Sequence, residues 1–246
     1  MQHVLECAKR LLATTAIIFA ATITNAQNIE YSKADSTKVV SLLKEATTLR
    51  GNTHPMIYFG RKFIGYPYVA HTLERGDKEH LIVNLRQFDC TTFVETVTAL
   101  TLCDQRNQRT FADFCHNLAT LRYRQGKISD YTSRLHYFTW WATDNEQLGI
   151  IKDIAPQQEP WGAFTAVQRI NINYMSNHAS AYKHLLACPD YLPVIKKMEQ
   201  DCNGKQYRYI PKDNLRWSAD SSLGQVHSGD IVAMLTDKDG LDTRHI

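Results

Sequence analysis

The chain has 246 residues, is 43% hydrophobic and carries a formal net charge of +3. That apolar content can fill a core and excludes a disordered chain. Lys and Arg are scattered and never run beyond pairs, which excludes an electrostatic claim on nucleic acid or on an anionic membrane surface.

The first segment, MQHVLECAKR then LLATTAIIFAATI, is a basic flank followed by an apolar run. Thr24 and Ala26 place small residues where a signal peptidase needs them, so residues 1–26 read as a secretory signal cleaved after Ala26. The apolar run is short for a membrane-spanning helix, so no stable membrane anchor is expected. Cys7 precedes that run, and Cys90, Cys103, Cys115, Cys188 and Cys202 follow it. An odd number of thiols in an exported chain suggests a free, reactive one. Cys188 and Cys202 are a candidate disulfide, with buried free thiols the equal alternative.

Residues 27–246 read as a single domain. SKADSTKVVSLLKEATTL has helical spacing, with Asp35 or Ser36 as candidate caps. HPMIYFGRKFIGYPYVAHTLE reads as a short helix and then an extended segment, and YVAHTLE and HLIVNL flank a polar turn as a hairpin. A helix is expected from about Cys90 to Cys103, and TFADFCHNLATLRY is a second amphipathic one. Further helices are predicted over SDYTSRLHYFTWWATDNEQL, NHASAYKHLLAC and LPVIKKMEQDC. KQYRYIPK and SGDIVAML read as strands, and DKDG as a tight turn. Helices lead and strands gather late, which argues α+β.

Cys90 admits two readings. Cys90, Phe93, Val97 and Leu100 share a helical face, so the thiol could simply pack the core. Alternatively, Asp89 caps the helix and puts Cys90 in its first turn, where free N–H groups and the helix dipole favour a thiolate and can hold an oxyanion. A cysteine nucleophile also needs a histidine as base.

GYPYVA, FDCTTFVE, SGDIVAML and a histidine after GLD occur in that order. This order resembles the NlpC-type branch of papain-like cysteine peptidases, which are bacterial cell-wall hydrolases. With TLE, SRLHYF and GLD, and a long stretch between the cysteine and the histidine, it is similar to the N-acetylmuramoyl-L-alanine amidase-like branch. The resemblance covers about Ile57 to the end. It implies a papain-like core, with a helix-borne cysteine packed on an antiparallel sheet, and a large helical insertion over about 104–225. It implies Cys90 as nucleophile, His245 as base and a periplasmic location. Family members continue past this histidine with strands that complete the sheet, so C-terminal strands are expected to be missing and the domain truncated. Thr243 would share a strand face with His245, and Asp242 would point the other way, a poor candidate to orient the imidazole.

The resemblance places Tyr68 near the oxyanion, against the alternative of a buried tyrosine. Tyr131, Arg134, His136 and Tyr137, with Trp140 and Trp141, could read substrate: Arg134 as a two-point carboxylate clamp, the aromatics on a sugar face. Their alternative is an aromatic core stripe. Ser176 and His178 are further candidates, with Ser176 or Asn177 as a helix cap in the plainer reading. Glu95 reads as a helix-surface charge. No His-Glu-x-x-His or paired Cys-x-x-Cys pattern supports a metal, although His116, His136, His178 and His184 could meet in space. No cofactor is expected. The implied activity is hydrolysis of the amide between N-acetylmuramic acid and L-alanine in peptidoglycan fragments (muropeptides). The alternatives are a stem-peptide endopeptidase of the same superfamily and a non-catalytic wall-binding protein. Oligomeric state is not readable.

Overall fold

A computed structural model describes residues 29–155, 158–215 and 226–246. The expected signal segment lies outside the described residues, as does part of the expected insertion. Among the described residues no helix is long and apolar enough to cross a membrane.

The architecture is α+β, but its strands are short. In chain order the elements are β1 (Ile29–Glu30), α1 (Lys33–Leu49), α2 (Pro55–Arg61), β2 (Leu81–Ile82), α3 (Cys90–Gln105) and α4 (Phe111–Arg122). There follow α5 (Phe138–Gln147), β3 (Ala166–Arg169), α6 (Tyr174–Asn177), α7 (Lys183–Ala187), α8 (Tyr191–Cys202), β4 (Gln206–Tyr209), β5 (Met234–Leu235) and β6 (Thr243–His245). The described strands form three two-stranded pairs: β1–β2 parallel, β3–β4 antiparallel and β5–β6 antiparallel. The expected packing of the cysteine helix on one antiparallel sheet is therefore not what the described residues display. The helix α3 packs chiefly on α1, α2 and α4.

Local sequence explains the helix starts. Ser32, not Asp35 or Ser36, caps α1; Asp35 is the reciprocal partner three residues on, its carboxylate taking the Ser32 N–H at 3.0 Å. The other Asp35 oxygen accepts the Leu85 N–H at 2.9 Å and so ties α1 to the segment leading into α3. Asp89 and Thr92 form the same reciprocal box at the start of α3: Thr92 N–H donates to Asp89 at 2.8 Å, and Asp89 N–H to the Thr92 hydroxyl at 3.0 Å. The interior of α3 is buried nearly all round, including Thr96, Thr98 and Thr101. Thr101 can be buried because its hydroxyl donates to the Val97 carbonyl at 2.9 Å.

Glu95 corrects the surface-charge expectation. It lies inside the fold, with its carboxylate 2.7 Å from Arg122 Nε and both side chains 2% exposed. Arg122 Nη1 also donates to the Ile82 carbonyl at 2.7 Å. One guanidinium thus joins α3, α4 and β2.

The expected hairpin over YVAHTLE and HLIVNL does not form. Tyr68 instead bridges Phe88 in parallel, through Val69 N–H to Phe88 O at 2.8 Å and Phe88 N–H to Pro67 O at 3.1 Å. β2 turns away to pair with β1. The intervening loop is pulled elsewhere by charge: Glu74 and Glu79 lie 2.7 and 3.5 Å from Arg134. The Cys188–Cys202 pairing also fails, since all five described cysteines are free thiols. Cys202 ends α8 and Cys188 precedes its start, so the helix, about 18 Å long, holds them apart.

Two measurements probe this framework. Arg122→Met should cost about 3–5 kcal/mol in a urea titration, because it leaves Glu95 buried and unpaired. Adding Glu95→Leu should recover most of that loss; a double variant as unstable as the single would show that the pair is not the joint. At the other end, His80 Nε2 lies 3.0 Å from Glu30 Oε2. Although burial opposes it, bonding to Lys78 O and Glu30 holds the His80 imidazole above its usual range, and His80 and Arg75 hold Glu30 below its own. The His80 contribution is complete below the ordinary histidine pKa and is lost as pH rises through the raised one; that of Glu30 is lost as pH falls through its lowered one. Amide protection at Val83, whose N–H donates to Glu30 O at 2.8 Å, should therefore be greatest between the two and decline on either side.

Candidate active site

The parallel bridge between Tyr68 and Phe88 sets Tyr68 beside the first turn of α3. Its hydroxyl lies close enough to Cys90 and Asp89 to feel both. Burial, then the Cys90 and Asp89 charges, raise the Tyr68 hydroxyl above the usual phenol range, so it stays protonated and able to donate. Tyr68 is nonetheless 65% exposed. Aromatic rings hold this corner in place: Phe88 packs against Phe63, Tyr66 and Phe93 at 4.9, 6.1 and 6.0 Å between centroids.

The third member arrives from the chain end. The β5–β6 hairpin pairs His245 with Met234 and sets the imidazole 6.2 Å from the Tyr68 ring, tilted by 31°. Cys90, Tyr68 and His245, distant in sequence, therefore share one corner, with Tyr68 the neighbour common to the other two. The hairpin is seated by close approach. Gly229, in the turn before β5, has φ +104°, and a Cβ there would meet the His54 ring at 2.4 Å.

The Asp242 carboxylate bonds Thr139 and Thr243. A cleft of about 630 Å³ lies beside Arg244, Leu235, Gln168 and Tyr209. The β5–β6 register shifts between Met234 and Leu235, which pair with His245 and Thr243, so Arg244 is the extra residue of β6.

The remaining candidates lie between residues 131 and 178, and most are engaged internally. Arg134 is buried against Glu74 and Glu79, with its guanidinium 4.9 Å from the Tyr131 ring centroid. The expected free clamp on a substrate carboxylate is thus occupied from within, because two acidic side chains of the 70–80 loop reach it first. Tyr131 is 1% exposed, its ring 4.4 Å from His136 and 4.7 Å from His184. His136 Nε2 bonds the Tyr131 carbonyl at 2.8 Å; burial and the Arg134 charge push its imidazole down to about 3, so it is neutral. Tyr137 donates to Glu199 at 2.7 Å and accepts from Met175 N–H at 2.9 Å, which makes it a core residue. Ser176 lies within α6 rather than capping it, its hydroxyl donating to Asn173 O at 3.2 Å. His178 is exposed and stacks on Tyr174 at 4.1 Å.

Sequence reasoning missed Glu74, Glu79 and Glu199, the acids that claim these residues. Single carboxylates in loops and helix faces carry no local signal of a partner 60 residues away. Among the described residues, no three His, Cys, Asp or Glu side chains gather as a metal site would need.

The AmiA-like family pattern, described as N-acetylmuramoyl-L-alanine amidase-like, matches residues 58–246, which span Tyr68, Cys90 and His245. The chain belongs to this family. It is similar to the crystal structure of an N-acetylmuramoyl-L-alanine amidase from Bacteroides uniformis, at 39% identity and TM-score 0.70, over 78% of this chain and 77% of that one. A Bacteroides fragilis protein provisionally described as a xylanase matches at 39% identity and TM-score 0.68, over 76% of this chain and 77% of that one. A Legionella pneumophila protein at 21% identity and TM-score 0.60, over 86% of this chain and 78% of that one, shows the fold alone. Among curated proteins none matches the chain.

The thiols offer a direct test. Burial pushes Cys103 up to about 11 and Cys115 up to about 12, and raises Cys202. Cys90 and Cys188 are half-buried. Limiting iodoacetamide near neutral pH, with the adduct mapped by mass spectrometry, should mark Cys90 ahead of Cys188 and leave the other three untouched. Equal labelling of Cys90 and Cys188 would mean that the start of α3 confers no activation.

Proposed function

We propose that the protein is an exported, cysteine-dependent amidase that hydrolyses the bond between N-acetylmuramic acid and L-alanine in peptidoglycan fragments. The observation that carries this reading is the corner where Tyr68 meets both Cys90, at the start of a capped helix, and His245. Family membership and the likeness to the Bacteroides uniformis amidase support the choice of bond. Placement in the NlpC-type papain-like superfamily, and a periplasmic location after loss of residues 1–26, belong to the same proposal.

In this mechanism His245 takes the proton from Cys90 Sγ, and the thiolate attacks the lactyl carbonyl carbon. The carbonyl oxygen becomes an oxyanion, to which the Cys90 backbone N–H and the Tyr68 hydroxyl donate. The C–N bond then breaks, and the imidazolium returns its proton to the departing alanine amine. Water, deprotonated by His245, attacks the thioester, releases the carboxylic acid and restores the thiol. A glycosidase would instead need a pair of free carboxyl groups. The Asp89 carboxylate, beside Cys90 in sequence, is held in its capping box by Thr92.

Digestion of purified muropeptides, followed by mass analysis, tests the bond. Release of intact stem peptide is expected, and shortened stems would indicate an endopeptidase. Cys90→Ala should abolish release, and full turnover by that variant would sink the cysteine mechanism. Tyr68→Phe should lower kcat, on the scale of about 10²–10³-fold seen when an oxyanion donor is removed, with KM little changed.

A further inference from the structure

The helix α5 begins without a local cap: the residue before it, Tyr137, makes no side-chain bond to the first turn. One of its orphan donors, the Thr139 N–H, is met from 103 residues away. Asp242 Oδ2 accepts both the Thr139 N–H and the Thr139 hydroxyl at 2.6 Å. The other oxygen, Oδ1, accepts the Thr243 N–H at 2.8 Å, and the Asp242 carbonyl accepts from Gln168 Nε2 at 3.0 Å. Asp242 is 3% exposed, so the carboxylate is desolvated and held by these donors and the positive end of α5. One turn earlier, the Gly240 carbonyl accepts the N–H groups of Asn173 and Tyr174 at 3.1 and 3.0 Å. A Cβ on Gly240 would meet Asn173 Oδ1 at 2.4 Å. The strand that carries His245 begins immediately after these two attachments.

We propose that Asp242 is a positioning residue for the reaction: by capping α5 it fixes the height and tilt of β6, and so the distance of the His245 imidazole from Cys90. The helical insertion thereby becomes the frame for the base. Asp242 acts through its bonds to Thr139 and Thr243 and not through a bond to the imidazole. A carboxylate is required at this position because four donors converge on its two oxygens, the N–H and hydroxyl of Thr139 on one and those of Thr243 on the other. An asparagine side chain offers one acceptor oxygen and turns an N–H₂ toward the rest. The proposal rests on the reading of His245 as the base.

The experiment is the pH–rate profile of Cys90 alkylation by iodoacetamide in the full chain, alongside muropeptide turnover. It compares the wild type, Asp242→Asn, His245→Ala and the double variant. His245→Ala should slow alkylation near neutral pH and move the profile toward that of an unassisted thiol. Asp242→Asn should move it the same way and lower kcat by about tenfold to a hundredfold, the scale of a base displaced by about 1 Å, with KM nearly unchanged. In the His245→Ala background Asp242→Asn should do nothing more. Thr139→Val, which removes one donor and keeps the side-chain shape, should give a smaller shift in the same direction and guards against a folding defect in the asparagine variant. A profile altered by His245→Ala but unaltered by Asp242→Asn and Thr139→Val overturns the positioning role alone. A profile unaltered by His245→Ala overturns the base assignment and the positioning role with it. Additive effects in the double variant would show that Asp242 acts elsewhere.

Discussion

The buried ion pair of Glu95 and Arg122 is the joint on which the rest of the structure hangs. A charge pair at 2% exposure costs desolvation on both sides and adds little net stability over an apolar pair of equal shape. What it supplies is a fixed relation between parts. Arg122 ends α4, Glu95 lies in the second turn of α3, and the same guanidinium reaches the Ile82 carbonyl of β2. The beginning of α3 is thereby set against a framework that includes the N-terminal strand pair. The capping box of Asp89 then finishes the turn that presents Cys90.

A second set of polar contacts does the same for the far end of the chain. The hairpin carrying His245 has little sheet to lean on, since β5 and β6 pair only with each other among the described strands. Its seat is instead a series of single contacts: Gly229 against His54, Gly240 on the start of α6, and Asp242 on the start of α5. Two of these three lie in the insertion. Residues 138–177 thus help to seat the hairpin that carries His245, and many polar side chains between 131 and 199 are turned toward the protein interior. Arg134, Tyr131, His136 and His184 form one packed group closed by Glu74 and Glu79, and Tyr137 is bonded to Glu199. Residue types that could read a substrate here hold the wall together.

The corner itself divides labour by exposure. Phe63, Phe88 and the buried face of α3 are packed, while Tyr68 stands largely in solvent and His245 is half-covered. A phenol held protonated next to a thiol and a backbone N–H can donate to developing negative charge. Its ring, close to the imidazole, limits where that imidazole can go. The other thiols are withdrawn into the apolar interior or sit away from α3, which leaves Cys90 as the one set at a capped helix start.

Much of this was legible in the residues. Asp89 before an apolar helix and the amphipathic spacing of α1, α4 and α8 are local signals, and the family resemblance carried by the order of GYPYVA, FDCTTFVE, SGDIVAML and GLD-x-x-His implied Cys90, Tyr68 and His245. What the sequence could not determine depended on partners far along the chain. Glu95 looked like a surface charge because Arg122 is 27 residues away, and Arg134 looked free because Glu74 and Glu79 lie in a loop read as a hairpin. Only the tertiary structure decided which carboxylate met which cation, which strands paired, and that Asp242 caps α5. A charge or a donor in a sequence carries no record of its partner, and burial makes finding one obligatory.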